Sequence, residues 1–278
     1  MAEKRWIWLL LAAVLGLCAV FSNRVEDPQQ PEIYFEEPVL ETLQPQAQSY
    51  HRDDTVFSVT LEDYIRCFNS LFQRQFQSDY FPDSGSWDIS HNGKGIHTDY
   101  PVLEFRFSED PQVFSLPTVT VHTPMEEHRI QELIINFDEH SYTQEGYRRY
   151  RLLCADTLNV FLPELSREAA LELCDQILEL GNEHVFSSQE WYTNGALPHA
   201  LFYKGNVGVY SYDAIGDWRH FCVIPLTRQR RGELEEKGVI LYEMETACAA
   251  AVSGSGAFRL RKGAGKGGEY GAAYRQPL

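Results

Sequence analysis

ALFYKGNVGVYSYDAIGDWRHFCVIPL, residues 200–226, decides the architecture of this chain. Ala200–Lys204, Val207–Tyr212 and Trp218–Leu226 carry the β-branched and aromatic residues that fit a pleated sheet, separated by Gly205-Asn206 and by a polar turn through Asp213–Asp217. A Gly-Asn pair between two such runs marks a two-residue hairpin. The spacing therefore predicts an antiparallel three-stranded meander. Gly208, Tyr210 and Tyr212 share one face of its middle strand, because side chains alternate along a strand.

Upstream the same pattern recurs. Val102–Phe107 and Thr118–His122 alternate, Leu133–Phe137 is a short apolar run, and Asp110-Pro111 and Thr123-Pro124 supply turns. A second three-stranded meander is expected there. Before it, Thr60 with Asp63 three residues on forms a helix start, and Leu61, Tyr64, Ile65, Phe68, Leu71, Phe72 and Phe76 fall on one helical face. Between the meanders, Thr143 opens a helix with Tyr147, Tyr150, Cys154, Leu158 and Phe161 inward, stopped by Pro163. Ser166 opens another with Ala170, Cys174, Ile177 and Leu178 inward, closed by Gly181. Ser78–Asp99 reads as loop, Thr227–Lys237 as a short helix and Val239–Tyr242 as one more strand. Strands in runs rather than alternating with helices indicate α+β: two antiparallel three-stranded meanders, an N-terminal helix and a central helical hairpin.

Four segments follow from composition. Residues 1–24 hold the apolar run Trp6–Phe21 behind Lys4 and Arg5, an export signal or membrane anchor. At about 1.5 Å per residue the run spans roughly 24 Å, just short of the bilayer hydrocarbon, and Lys4 and Arg24 are placed to snorkel. Three readings stay open: an uncleaved anchor, a signal cleaved after Ser22, and lipidation at Cys18, the last weakened by Leu17. All three put the body outside the cytoplasm, on the membrane or secreted. Residues 25–55 form a Pro-, Gln- and Glu-rich spacer, 56–242 a globular domain, and 243–278 an Ala- and Gly-rich basic tail suited to touching anionic wall polymer or the acidic body.

The chain is 278 residues long with a formal charge of −16. The charge is uneven: residues 25–251 hold 38 acidic and 16 basic side chains, while 252–278 carry one acidic and five basic. A body so acidic repels phosphate backbones, which excludes nucleic acid as a partner. Beyond the apolar run there are five cysteines, Cys67, Cys154, Cys174, Cys222 and Cys248, without C-x-x-C spacing. Zinc and a complete disulfide framework are therefore not expected, and buried free thiols are, with Cys154 to Cys174 the bridge of choice if one forms.

Chemistry is sparsely signalled. No H-E-x-x-H, G-x-S-x-G or S-x-x-K is present, and the pairs His91/His97 and His122/His128 have spacings that suit neither a helix face nor a strand face. No metal or cofactor is expected. Tyr242–Ala247, YEMETA, resembles a ribose-holding stretch of nucleoside phosphorylases and nucleosidases, but the Gly-rich phosphate loop those enzymes need upstream is missing. Aromatic residues of the second meander offer a binding face: Tyr210, Tyr212, Trp218 and His220, with Trp191 nearby. If the helical hairpin covers that face, the same rings are core.

IINFDEHSYTQEGYRRYRLLCADTLNVFLPELSREAALELCDQILEL, residues 134–180, resembles uncharacterised exported or membrane-anchored proteins of Gram-positive gut bacteria. The resemblance implies an envelope location and no known activity. The reading is a non-catalytic extracytoplasmic binding module that takes a cell-wall or protein partner. Its rival is a cell-envelope hydrolase with a site near His97, Asp99 and the Asp83–Asp88 loop.

Overall fold

Gly205 takes a φ of 56°, the left-handed conformation that a side chain disfavours and a tight hairpin needs at its first central position. Around it Ala200–Lys204 and Val207–Ala214 pair antiparallel, and Trp218–Pro225 continues the meander. Asn206 closes the corner by accepting at its carbonyl from the Leu226 N–H. The computed structural model describes residues 43–50, 55–92, 102–110, 113, 115–182, 185–186, 197–214, 218–245 and 259–262. They belong to one compact unit, Leu40–Leu278.

In chain order the strands are β1 (Ala47–Ser49), β2 (Thr55–Phe57), β3 (Asp88–Asn92), β4 (Val102–Ser108), β5 (Thr118–Pro124), β6 (Glu132–Asp138), β7 (Val185–Phe186), β8 (Ala200–Lys204), β9 (Val207–Ala214), β10 (Trp218–Pro225), β11 (Ile240–Glu245) and β12 (Arg259–Lys262). The helices are α1 (Leu61–Phe76), α2 (Gln144–Phe161), α3 (Arg167–Asn182) and α4 (Arg228–Glu236). The class is α+β with a mostly antiparallel sheet. The two meanders are not separate three-stranded units, however. β6 pairs antiparallel with β10, giving one sheet whose eight-strand run is β11-β8-β9-β10-β6-β5-β4-β3, with β12 beyond β11 and β7 beside β9. The meanders thus meet last strand to last strand.

Local chemistry sets the helix starts. Thr60 caps α1 through its hydroxyl to the Asp63 N–H at 3.2 Å, and Asp63 returns the bond to the Thr60 N–H at 3.0 Å. Thr143 caps α2 and Thr227 caps α4 through the hydroxyl alone, accepting from the Gly146 and Arg230 N–H groups, and Ser166 accepts from the Ala169 N–H. The caps at Thr60, Thr143 and Ser166 fall where the sequence places them. Helix α3 runs one residue past Gly181, to Asn182.

Helices α1–α3 cover one face of the sheet. Phe57, Tyr64, Phe161, Leu133, Ile135, Phe137, Val209, Phe221 and Val223 are buried together there. The Tyr64 hydroxyl and Thr157 Oγ1 share a 2.9 Å hydrogen bond that ties α1 to α2 inside this layer. Phe76, the last residue of α1, departs from the expected inward face: it is 55% exposed and stacks on Phe72 at 4.4 Å. A smaller cluster occupies the opposite face, where Leu226 and Leu234 pack with Leu201, Tyr203 and Leu241.

Three further segments differ from the sequence reading. Within Ser78–Asp99, expected as loop, Asp88–Asn92 forms the edge strand β3 on β4. Ala47–Ser49, in the stretch read as a spacer, pairs with β2, and Leu43 beside it is buried. Arg259–Lys262, in the stretch read as a tail, pairs with β11. Cys67, Cys154, Cys174 and Cys222 are buried thiols outside any disulfide, as expected, and no bridge joins Cys154 to Cys174. The apolar run, Cys18, His97, Asp99, Trp191 and Cys248 lie outside the described residues. Among the described residues no helix is long and apolar enough to cross a membrane.

Candidate functional site

A strand in the middle of a wide sheet, if covered on both sides, reads as a continuous apolar run. β5, β6 and β10 do not. Their helix-side positions are Val119, Val121, Leu133, Ile135, Phe137, Phe221 and Val223, whereas the opposite phase holds Thr118, Thr120, His122, Glu132, Asn136, Trp218 and His220 alongside Ile134, Cys222 and Ile224 of the smaller cluster. Polar side chains thus collect on the face turned away from α1–α3.

Register arranges them in rows. Ser90, Glu104, His122 and Glu132 are successive Cα partners from β3 to β6. His122 Nε2 lies 3.4 Å from Glu104 Oε2, and its Nδ1 lies 3.3 Å from Glu132 Oε2. The second Glu132 oxygen accepts the Tyr210 hydroxyl at 3.1 Å. Burial alone would push the His122 imidazole down, but the hydrogen bonds and charges of Glu104 and Glu132 outweigh it and hold the ring up at about 9. The hydrogen bond from His122 in turn holds the Glu104 carboxyl below its usual range. At neutral pH this is an imidazolium clamped between two carboxylates, with His122 only 4% exposed.

Thr118, Asn136, His220 and Tyr212 form a parallel row across β5, β6, β10 and β9. Asn136 Nδ2 donates to Thr120 Oγ1 at 3.2 Å, so its Oδ1 is the acceptor facing His220 Nδ1. That bond fixes the Nδ1–H tautomer of His220 and makes Nε2 the acceptor nitrogen. Burial pushes the His220 ring down to about 4, which keeps it neutral and a weak base at pH 7. Tyr212 stacks on the ring at 4.6 Å. Trp218, half-buried, stands at the start of β10 beside Asp138.

The helical hairpin does not cover these rings: Ser211, in the other phase of β9, donates to the Ile177 carbonyl of α3. Tyr210 and Tyr212 are nonetheless buried in the smaller cluster, at 2% and 3% exposure, so they are core, with Tyr212 bracing His220 from the side, while His220, Asn136 and Trp218 remain half-buried. Sequence reasoning missed Glu104, His122, Glu132 and Asn136. Phase alone does not pick them out, since Val102 shares the face of Glu104 and Ile134 stands between Glu132 and Asn136; cross-strand register is what brings them together.

The Asp83–Asp88 loop contains a short 3₁₀ turn, Ser84–Ser86. Ser84 Oγ donates to Glu62 Oε1 at 3.0 Å, and His128 Nδ1 lies 2.9 Å from the same oxygen. A nucleophilic triad needs the imidazole between hydroxyl and carboxylate. Here the carboxylate sits between, and its bonds to His128 and Ser84 hold it low against the opposing pull of burial, which makes it a poor base. Among the described residues no group of three or more His, Cys, Asp or Glu side chains is placed to hold a metal ion. Comparison of the chain with protein-family models, with curated proteins and with solved structures finds no match in any of the three.

Proposed function

We propose that this chain is a non-catalytic binding module of the cell envelope, held at the membrane or released by its N-terminal segment. Its ligand surface is the polar strip of Asn136, His220 and Trp218. The observation that supports this is the pre-set hydrogen bonding: Thr120, Asn136 and His220 fix one another's donor and acceptor directions before any partner arrives. Fixed polar groups beside an aromatic ring suit a hydroxyl- or amide-rich partner such as a wall glycan or peptide, because little side-chain entropy is lost on binding. The test is co-sedimentation of the full chain with purified cell walls. Retention in the pellet that falls about tenfold in Asn136→Ala supports the reading. Release of soluble wall fragments by the protein would replace it with the hydrolase, and wall binding unchanged in Asn136→Ala would overturn the site.

A further inference from the structure

On the far side of the sheet, α1, α2 and the turn into α3 line an open cavity of about 300 Å³. Its wall is apolar, built from Leu43, Leu71, Val160 and Leu165. Its polar lining includes Arg74 from the end of α1, and Arg167 and Asp156 facing each other from α3 and α2. From this arrangement we infer a second binding site, for a small anion carrying a compact apolar group, such as an aromatic or short-chain carboxylate.

Three observations carry the assignment. The volume lies at the lower end of the range for small-molecule sites. Arg167 reaches Asp156 through a single contact, Nε to Oδ1 at 3.3 Å, so its terminal N–H groups stay available for the paired geometry a carboxylate takes. Arg74, an exposed side chain that makes no ion pair among the described residues, lines the same space from its solvent side. Two guanidinium groups against one carboxylate leave the cavity with a net positive charge, inside a body that is otherwise strongly acidic. Burial holds the Asp156 carboxyl above its usual range despite Arg167, so this group is incompletely compensated and competes with an incoming anion for the same guanidinium. Asn159 steadies the turn by donating to the Leu165 carbonyl at 2.9 Å, so the wall is in place beforehand.

The test compares benzoate, benzamide and acetate by saturation-transfer NMR, with the full chain in lipid nanodiscs and empty nanodiscs as the blank. Benzoate supplies charge and ring, benzamide the ring alone and acetate the charge alone. Benzoate is expected to bind about tenfold more tightly than either, the difference one charge-assisted contact makes. Asp156→Asn should strengthen benzoate binding by freeing Arg167, and the Arg74→Gln, Arg167→Gln double variant should bring it to the benzamide level. Failure of benzoate to bind, equal binding of benzoate and benzamide, or weaker binding in Asp156→Asn would each overturn the assignment. The wild-type comparison stands even if a variant fails to fold. The site is independent of the polar strip, so Asn136→Ala should leave benzoate binding unchanged.

Discussion

His122 shows how a single side chain couples three strands. Its ring bridges Glu104 on β4 and Glu132 on β6 from β5, and Glu132 passes the connection to Tyr210 on β9. Removing the imidazole leaves two carboxylates facing each other in a site that water reaches poorly. His122→Ala should therefore destabilise the fold by about 3 kcal/mol, read by denaturant unfolding at pH 6. The pH dependence has a defined sign. The folded-state value of His122, about 9, is above the ordinary 6.5, so its contribution is complete below about pH 6.5 and lost as the pH climbs through 9. Glu104 is shifted the other way and contributes above its ordinary 4.5, losing that as the pH falls. Wild-type stability should thus decline between pH 7 and 9, and this slope should flatten in His122→Ala. An equal slope in both proteins would mean that another group is responsible.

At the scale of elements, helix α2 carries a residue whose effect runs against propensity. Gly146 lies in its first turn, where alanine is ordinarily about 1 kcal/mol better. A Cβ there would stand 2.0 Å from the Ser115 carbonyl oxygen and 2.9 Å from Thr143 Oγ1, the capping atom itself. Backbone cannot yield as a side-chain tip does, so Gly146→Ala should destabilise by about 2 kcal/mol, the sign opposite to propensity. Thermal unfolding of the variant decides, and a raised midpoint would refute the close approach. Most elements were legible because their signals are local. The caps at Thr60, Thr143, Ser166 and Thr227 and the Gly205-Asn206 corner are set by groups within four residues of one another. β3 was not legible: as an edge strand it needs no alternating pattern, and Asp-Ile-Ser-His-Asn has one apolar residue, Ile89, which is half-exposed. The candidate site was legible only in part. Tyr212, His220 and Trp218 announce themselves as aromatic or titratable residues in one meander. Glu104, His122 and Asn136 gain meaning only from cross-strand register, which no single strand encodes.

For the molecule as a whole, the seam between β6 and β10 is the feature that sequence could not supply, since its partners lie 80 to 90 residues apart. It is also where both halves of the sheet depend on each other. Ile135 of β6 is the direct partner of Phe221 of β10, and both side chains are fully buried under the helices. The polar strip spans the same seam through Asn136 and His220, so the proposed ligand surface exists only when both meanders are joined. Cutting a buried Phe to Ala typically costs about 3–5 kcal/mol. If the sheet is one cooperative unit, Phe221→Ala should speed backbone hydrogen exchange in β4 and β5 of the first meander as well as in β8 and β9 of the second. Hydrogen exchange read by mass spectrometry resolves these segments. Faster exchange confined to β8, β9 and β10 would show that the first meander, braced by α1, holds its structure alone. The polar strip would then be an interface between two autonomous halves, and its ligand affinity should fall in Phe221→Ala while the exchange of β4 and β5 stays at the wild-type rate.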